Sequence, residues 1–77
     1  MRENEERILG DLPRNEKEIT RISLKNYNCQ DRLDLRVYYR SESGKFLPTK
    51  RGVSIPIRDF DEFARLISRA RSELKTA

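Results

Sequence analysis

Two segments of the chain, residues 19–27 and 32–40, alternate between apolar and polar side chains. The apolar residues occupy every second position of each segment, a set of positions that we call one parity. They are Ile22, Leu24, Leu33, Leu35, Val37 and Tyr39. The opposite parity carries Ser23, Lys25, Tyr27, Asp34, Arg36, Tyr38 and Arg40. Because successive side chains of a strand point to opposite faces of its sheet, this period of two predicts two half-buried strands. The polar residues between them, 28–31, are predicted to form a loop.

Two shorter strands are predicted next along the chain. Gly44 lies in a polar segment, where a hairpin connection needs a residue that adopts positive φ without steric cost. A strand over 45–47 ends at Pro48, which lacks the N–H group that a central strand uses. After Gly52 the alternation resumes over 53–57. Four consecutive strands with short connections predict an antiparallel meander with one face that needs a cover.

A helix is predicted to follow from Asp59. Its apolar residues recur three and four positions apart and so share one side of the helix. They are Phe60, Phe63, Ile67, Ala70 and Leu74. This stripe either packs entirely on the sheet or also meets its equivalent in a two-fold dimer. The predicted fold class is α+β, with four antiparallel strands followed by one C-terminal helix.

The first 18 residues show no sustained period. They mix four basic with six acidic residues and include Gly10 and Pro13. We therefore expect residues 1–18 to form a flexible or partly helical tail and residues 19–77 to form one domain. A chain of this size buries only about 60 % of its unfolded surface, which makes self-association a natural source of stability.

The composition argues against an enzyme or a metal site. The chain of 77 residues has no His, the commonest general base and a frequent zinc ligand. Its single cysteine, Cys29, cannot form an internal disulfide. No apolar run is long enough to span a bilayer, and the N-terminus does not read as a signal peptide. We expect no cofactor, no metal and no membrane partner, and a location in the cytosol or nucleus.

Positive charge is concentrated in the predicted strands. Residues 19–58 carry nine Lys or Arg against three acidic residues, whereas the whole chain has a net charge of +4. On the outward parity, Lys25 and Tyr27 are expected beside Arg36 and Tyr38. The next strand and loop add the cations Lys45, Lys50 and Arg51. Cations bind phosphates and exposed rings stack on bases, so this face favours single-stranded nucleic acid over duplex.

Each outward residue also has a purely structural explanation. Exposed Lys and Arg protect strand edges, and exposed Tyr packs across strands. Asp34 shares parity with Arg36 and is expected to orient it through an ion pair that stabilises little. The ordered co-occurrence of cations and phenol rings nevertheless favours binding.

The segment from residue 22 to residue 52 resembles the Positive Cofactor Four (PC4) family of transcriptional coactivators. The strings ISLKNY, LDLRVYY, LP and KRGVSI carry the resemblance in that order, and RDFDEFARLI resembles the family's C-terminal helix. The resemblance implies a dimer paired through its helices, with curved strands that form grooves for single-stranded DNA. By position, it implies DNA contacts at Lys25, Tyr27, Arg36, Tyr39, Lys50 and Arg51.

The resulting hypothesis is a homodimeric single-stranded DNA-binding protein with little sequence preference, acting in transcriptional regulation or in replication and repair. Its partners would be single-stranded DNA, a second copy of the chain and the transcription machinery. The Ser-rich acidic tail of some eukaryotic members is absent, which favours a bacterial type that is cytoplasmic and nucleoid-associated; a eukaryotic member would be nuclear. Two alternatives stay open: a protein-interaction module with a merely solvating basic face, and a single-stranded RNA binder.

Overall fold

A computed structural model describes residues 5–76, so residues 1–4 of the predicted tail lie outside the described part of the chain. The sheet has the order β1-β2-β3-β4, with each pair of neighbours antiparallel. This confirms the predicted meander followed by a C-terminal helix. The elements are β1 (Glu6–Pro13), β2 (Glu18–Tyr27), β3 (Gln30–Arg40), β4 (Phe46–Pro56), a 3₁₀ turn (Ile57–Asp59) and α1 (Phe60–Thr76).

β2 and β3 form the central hairpin, in which the predicted alternation is correct. Ser23 pairs with Asp34 on one face, and Leu24 pairs with Leu33 on the other. The connection is shorter than the predicted loop because the strands continue to a two-residue turn. Its residues Asn28 and Cys29 have φ of 51° and 62°, the positive values that characterise a type I′ hairpin turn.

Part of the predicted N-terminal tail forms a strand and not the helical turns that were predicted as one possibility. Glu6–Pro13 form β1, which pairs with β2 along its length. The register shifts between Ile8 and Gly10, so Leu9 is an extra residue in a β-bulge. After the extra residue, the side chains that would have pointed to one face of the sheet point to the other. For that reason the sequence of β1 shows no continuous alternation of apolar and polar residues.

One long strand, β4, takes the place of the two predicted strands over 45–47 and 53–57. Pro48 lies within β4 instead of ending a strand. This is possible because β4 is an edge strand of the sheet, where one side of the backbone has no neighbouring strand to accept an N–H bond. The count of four strands was correct, although the tail supplies one of them and two predicted strands merge.

A second bulge explains why β4 was read as two strands. Between the pairs Arg36–Gly52 and Tyr38–Pro48, the single residue Val37 of β3 faces three residues of β4, 49–51. The side chains of residues 49–51 therefore cannot alternate between the two faces in step with those of β3. The Val37 carbonyl instead accepts a hydrogen bond from the hydroxyl of Thr49 at 2.7 Å, which stabilises the bulge. The bulge therefore projects two consecutive basic residues, Lys50 and Arg51, from the sheet.

Gly52 allows β4 to return to β3 after this bulge. A Cβ atom at Gly52 would lie 2.5 Å from the carbonyl oxygen of Leu35 and 2.8 Å from the Cα of Arg36. Because both neighbours are backbone atoms, the strands must separate. We expect Gly52→Ala to lower the free energy of unfolding by about 2 kcal/mol, the usual cost of overpacking, in a denaturant titration.

Gly10 provides the matched control for this prediction. It also lies in an edge strand beside a bulge, but a Cβ there would meet no atom within 4 Å. Gly10→Ala should therefore leave the free energy of unfolding nearly unchanged. Equal effects of the two substitutions would show that close approach of the strands is not what requires Gly52.

The apolar face of the sheet, formed by Ile22, Leu24, Leu33, Leu35 and Val37, is only partly covered by α1. Among the described side chains of α1, Phe63 alone is half-buried and the others are exposed. Ile67 and Leu74 are 56% and 78% exposed. An open cleft of about 480 Å³ lies between the helix and the sheet. The helical stripe is therefore not buried by the sheet of its own chain.

Within residues 5–76, no helix combines the length and apolar character needed to cross a membrane.

Candidate nucleic-acid interface

Five cationic side chains of β2 and β3 share the face of the sheet opposite the apolar one: Arg40 at the end of β3, and four nearer the centre of the sheet. We call Arg21, Lys25, Arg32 and Arg36 the basic face. The register places Arg21 directly opposite Arg36, and Lys25 directly opposite Arg32. Like charges opposite each other repel and destabilise a strand pair. The arrangement therefore needs acidic neighbours in the free protein.

Asp34 is the central acid of the basic face. Its side chain is 4% exposed and lies between two of the cations. Arg36 Nε and Nη2 donate to its two carboxylate oxygens, each at 3.1 Å, and Lys25 Nζ lies 3.2 Å from Oδ2. The predicted ion pair between Asp34 and Arg36 is thus present, and it includes Lys25 as well.

The protonated states of both cations are favoured by this carboxylate. The hydrogen bond with Asp34 raises the pKa of Arg36. Burial by itself lowers the pKa of Lys25, but the hydrogen bond with Asp34 and the carboxylate charge outweigh it, so the pKa lies above its ordinary value of 10.5. Both side chains therefore carry their charge throughout the physiological pH range.

A further hydrogen bond links Arg36 to the bulge of β4. Its Nη1 donates to the carbonyl oxygen of Thr49 at 3.0 Å, immediately before Lys50 and Arg51. This bond ties the backbone of the bulge to the basic face. Arg32 is held in a similar way, since its Nε donates to the hydroxyl of Ser54 at 2.6 Å.

Arg21 is oriented by an acid and by an aromatic ring. Its Nε and Nη2 donate to the two carboxylate oxygens of Asp11 in β1, at 2.8 and 3.1 Å. The guanidinium carbon also lies 4.8 Å from the ring centre of Tyr38, within the range of a cation–π contact. Tyr38 is buried beneath it and so cannot stack on a base.

The hydrogen bond from Arg21 lowers the pKa of Asp11 below its ordinary value of 3.8. The contribution of this pair to stability is therefore complete above pH 3.8 and is lost as the pH falls through the lower pKa of the folded state.

Tyr27 is the exposed aromatic residue on the same side of the sheet as the basic face. It lies at the end of β2, where it pairs with Gln30, and it is 65% exposed. An exposed ring beside a row of cations can stack on a base while the cations hold the backbone. The structure thus brings together the three predicted residues Lys25, Tyr27 and Arg36.

The other predicted residues lie elsewhere. Tyr39 is 42% exposed, but it lies on the apolar side of the sheet, where it pairs with Glu18. Arg51 forms an ion pair with Glu18, so these three residues form a separate cluster. Lys45 is exposed in the turn before β4, and Lys50 is exposed on the bulge.

Two residues of the basic face, Arg21 and Arg32, were not among the predicted binding residues. Arg21 has the same parity as Lys25 in β2, and Arg32 has the same parity as Arg36 in β3. Both lie within the predicted strands, 19–27 and 32–40, and their outward parity is the signal that identifies them. They lie just outside the strings ISLKNY and LDLRVYY that carry the family resemblance.

Comparisons with known proteins identify the family and agree with the fold. The family model described as Transcriptional Coactivator p15 (PC4) matches residues 14–66. The fold is similar to the crystal structure of BPSL1147, a PC4 homolog from Burkholderia pseudomallei K96243, with a TM-score of 0.78 and 21% identity over 92% of this chain and 96% of that chain. It is also similar to the bacteriophage T5 homolog of the eukaryotic transcription coactivator PC4 implicated in recombination-dependent DNA replication, with a TM-score of 0.58 and 20% identity over 94% and 97% of the two chains. Curated protein sequences gave no match.

Proposed function

The chain belongs to the PC4 family of transcriptional coactivators, and on this premise we propose that it is a homodimeric single-stranded DNA-binding protein with little sequence preference. Its role is the regulation of transcription or the handling of exposed strands in replication and repair. Components of the transcription machinery are further partners. For a bacterial member of this family, the proposed location is the cytoplasm, in association with the nucleoid.

The observation that carries the proposal is the basic face together with Tyr27. Four cations in two cross-strand pairs provide a row of phosphate contacts, and Arg adds a bidentate fork to the charge. Tyr27 provides a ring that stacks on any base, because every base has a π face. Neither group reads a base edge, so little sequence preference follows.

The shape of this surface favours single strands over duplex. A duplex keeps the faces of its bases stacked inside, and proteins read it through helices or ribbons that enter its grooves. A sheet with rows of cations and an exposed ring contacts an unpaired strand directly. Lys45 before β4 and Lys50 in its bulge are exposed and add positive charge to the proposed binding surface. Arg51 pairs with Glu18 and would add a contact only where the strand passes around the bulge.

The unburied stripe of α1 supports the homodimer. Phe60, Ile67 and Leu74 lie seven positions apart on one side of the helix and remain exposed. The cleft beside them is lined mainly by apolar residues. A second copy would bury the same stripe twice around a two-fold axis. The proposed interface comprises Phe60, Phe63, Ile67, Ala70 and Leu74.

Titration of a fluorescent oligo-dT with the protein at several salt concentrations tests the proposal. If about five phosphates are neutralised per site, the logarithm of the affinity should fall with the logarithm of the salt concentration with a slope of about −3.5. Competitors of equal length then separate the possible ligands: single-stranded DNA, duplex DNA and single-stranded RNA.

Two results would contradict the proposal. Tighter binding of the duplex would exclude a surface built for unpaired bases, and an affinity independent of salt would exclude phosphate contacts. If single-stranded RNA binds as tightly as single-stranded DNA, the proposed ligand becomes single-stranded nucleic acid in general, because only contacts with the 2′-OH distinguish RNA from DNA. If no nucleic acid binds to the intact dimer, the remaining hypothesis is a protein-interaction module.

A further inference from the structure

β1 places two acidic side chains against the basic face. Asp11 accepts both hydrogen bonds from the Arg21 guanidinium, and Glu6 Oε2 lies 3.7 Å from Lys25 Nζ. Each acid is the direct cross-strand partner of its cation in the β1–β2 register. Two of the four cations of the basic face are therefore neutralised by the same edge strand.

These two acids differ from Asp34 in how firmly they are held. Asp34 is buried and contacts two cations, so it is part of the framework of the sheet. The side chains of Glu6 and Asp11 are each 37% exposed, so these ion pairs are open to solvent on the side of the acid and are screened more than the pairs of Asp34. Water and ions reach them, and a phosphate can compete with them for the same cation.

The position of β1 allows such an exchange. β1 is an edge strand, it pairs only with β2, and each of its residues is exposed. Moving a carboxylate of β1 away from the basic face therefore disturbs no buried packing. Residues 14–66, which match the family model, do not include β1.

We propose that Glu6 and Asp11 set the affinity of the basic face, because their carboxylates hold Lys25 and Arg21 in the free protein and are exchanged for backbone phosphates when single-stranded nucleic acid binds. The inference rests on the proposed function and describes the regulation of the same site. In the free protein the acids reduce repulsion between cations that lie opposite each other. In the complex the phosphates take over this role, and each exchange lowers the net gain from a phosphate contact.

The test compares two substitutions that change the net charge equally. Asp11→Asn removes the carboxylate at Arg21, whereas Asp61→Asn removes one from the first turn of α1, away from the basic face. We expect Asp11→Asn to bind oligo-dT about three- to fivefold more tightly than wild type, the factor that corresponds to one exposed ion pair. Because a phosphate contacts Arg21 in both complexes, the same number of phosphates is neutralised, and the salt slope should stay close to that of the wild type. Asp61→Asn should leave both quantities unchanged.

A second variant addresses Lys25. The double substitution Glu6→Gln/Asp11→Asn should bind about tenfold more tightly than wild type, since distant sites contribute nearly additively. Thermal unfolding of each variant verifies that the sheet is intact, and the single variant alone decides the question if the double variant does not fold.

The outcomes separate this inference from the proposed function. If wild type binds oligo-dT and Asp11→Asn binds with the same affinity, the exchange does not occur. Weaker binding of Asp11→Asn would show that Asp11 positions Arg21 for the ligand, which also overturns the inference. Tighter binding of both Asn variants would indicate only an effect of net charge and would overturn it as well. If wild type binds no oligo-dT at any salt concentration, the proposed function fails, and the inference fails with it.

Discussion

An Ile67→Gln variant is expected to be monomeric at concentrations where the wild type is a dimer. Ile67 lies at the middle of the exposed stripe of α1, so in a two-fold dimer the substitution removes two buried side chains. Burying one Ile contributes about 1.5–3 kcal/mol. Losing two should raise the dissociation constant of the dimer by about 10²–10⁴-fold. Sedimentation equilibrium over a range of concentrations measures this constant directly.

Arg69 offers a matched control on the same helix. It lies two residues beyond Ile67, on the opposite side of α1, where it pairs with Glu73. Arg69→Gln introduces the same side chain and should leave the dissociation constant within a few fold of wild type. A dimer that is equally stable in both variants would place the subunit contact elsewhere than on this stripe.

Tyr27→Ala is expected to weaken the binding of single-stranded DNA by about 5- to 150-fold, the range that corresponds to the loss of one stacked base. Tyr27 is the exposed ring next to the basic face, and its removal deletes a π face without removing a charge. The salt slope should therefore stay that of the wild type while the affinity falls at every salt concentration. Fluorescence titration with oligo-dT measures both quantities.

Two substitutions at the same position assign this loss to the ring. Tyr27→Phe keeps the π face and should bind nearly as well as wild type, whereas Tyr27→Leu keeps an apolar side chain of moderate size and should behave like Tyr27→Ala. Because Tyr27 is largely exposed, none of these variants should alter thermal stability appreciably. Unchanged affinity in Tyr27→Ala would remove stacking from the proposed mechanism.

The central hairpin and the helix could be predicted from the sequence because local patterns determine them. Strict alternation in β2 and β3 continues through the whole pairing, so parity alone assigns each side chain to its face. β1 and β4 each contain a bulge. A bulge changes parity within a strand, and whether one occurs depends on the partner strand, which a single segment does not reveal. Therefore β1 was missed, and β4 was read as two strands.

For the candidate site, too, alternation in the sequence predicted the face of each side chain but not its neighbours on the adjacent strand. Parity correctly placed Lys25, Tyr27 and Arg36 on one side of the sheet, together with the acid that orients Arg36. It did not give the register, which places Arg21 rather than Lys25 opposite Arg36. The role of Asp11 depends on β1 as a strand, and so it could not be inferred before that strand was known.

The uninterrupted meander also has a consequence for how the chain folds. Every strand pairs with the strand that precedes or follows it in the sequence, and β2 reaches β3 through a turn of only two residues, Asn28 and Cys29. Closing such a short loop has a small entropic cost, so this hairpin can form before the edge strands pair with it. The sheet can grow from this hairpin outward, one edge at a time. In the proposed homodimer, the association of two chains is then the concentration-dependent step of assembly.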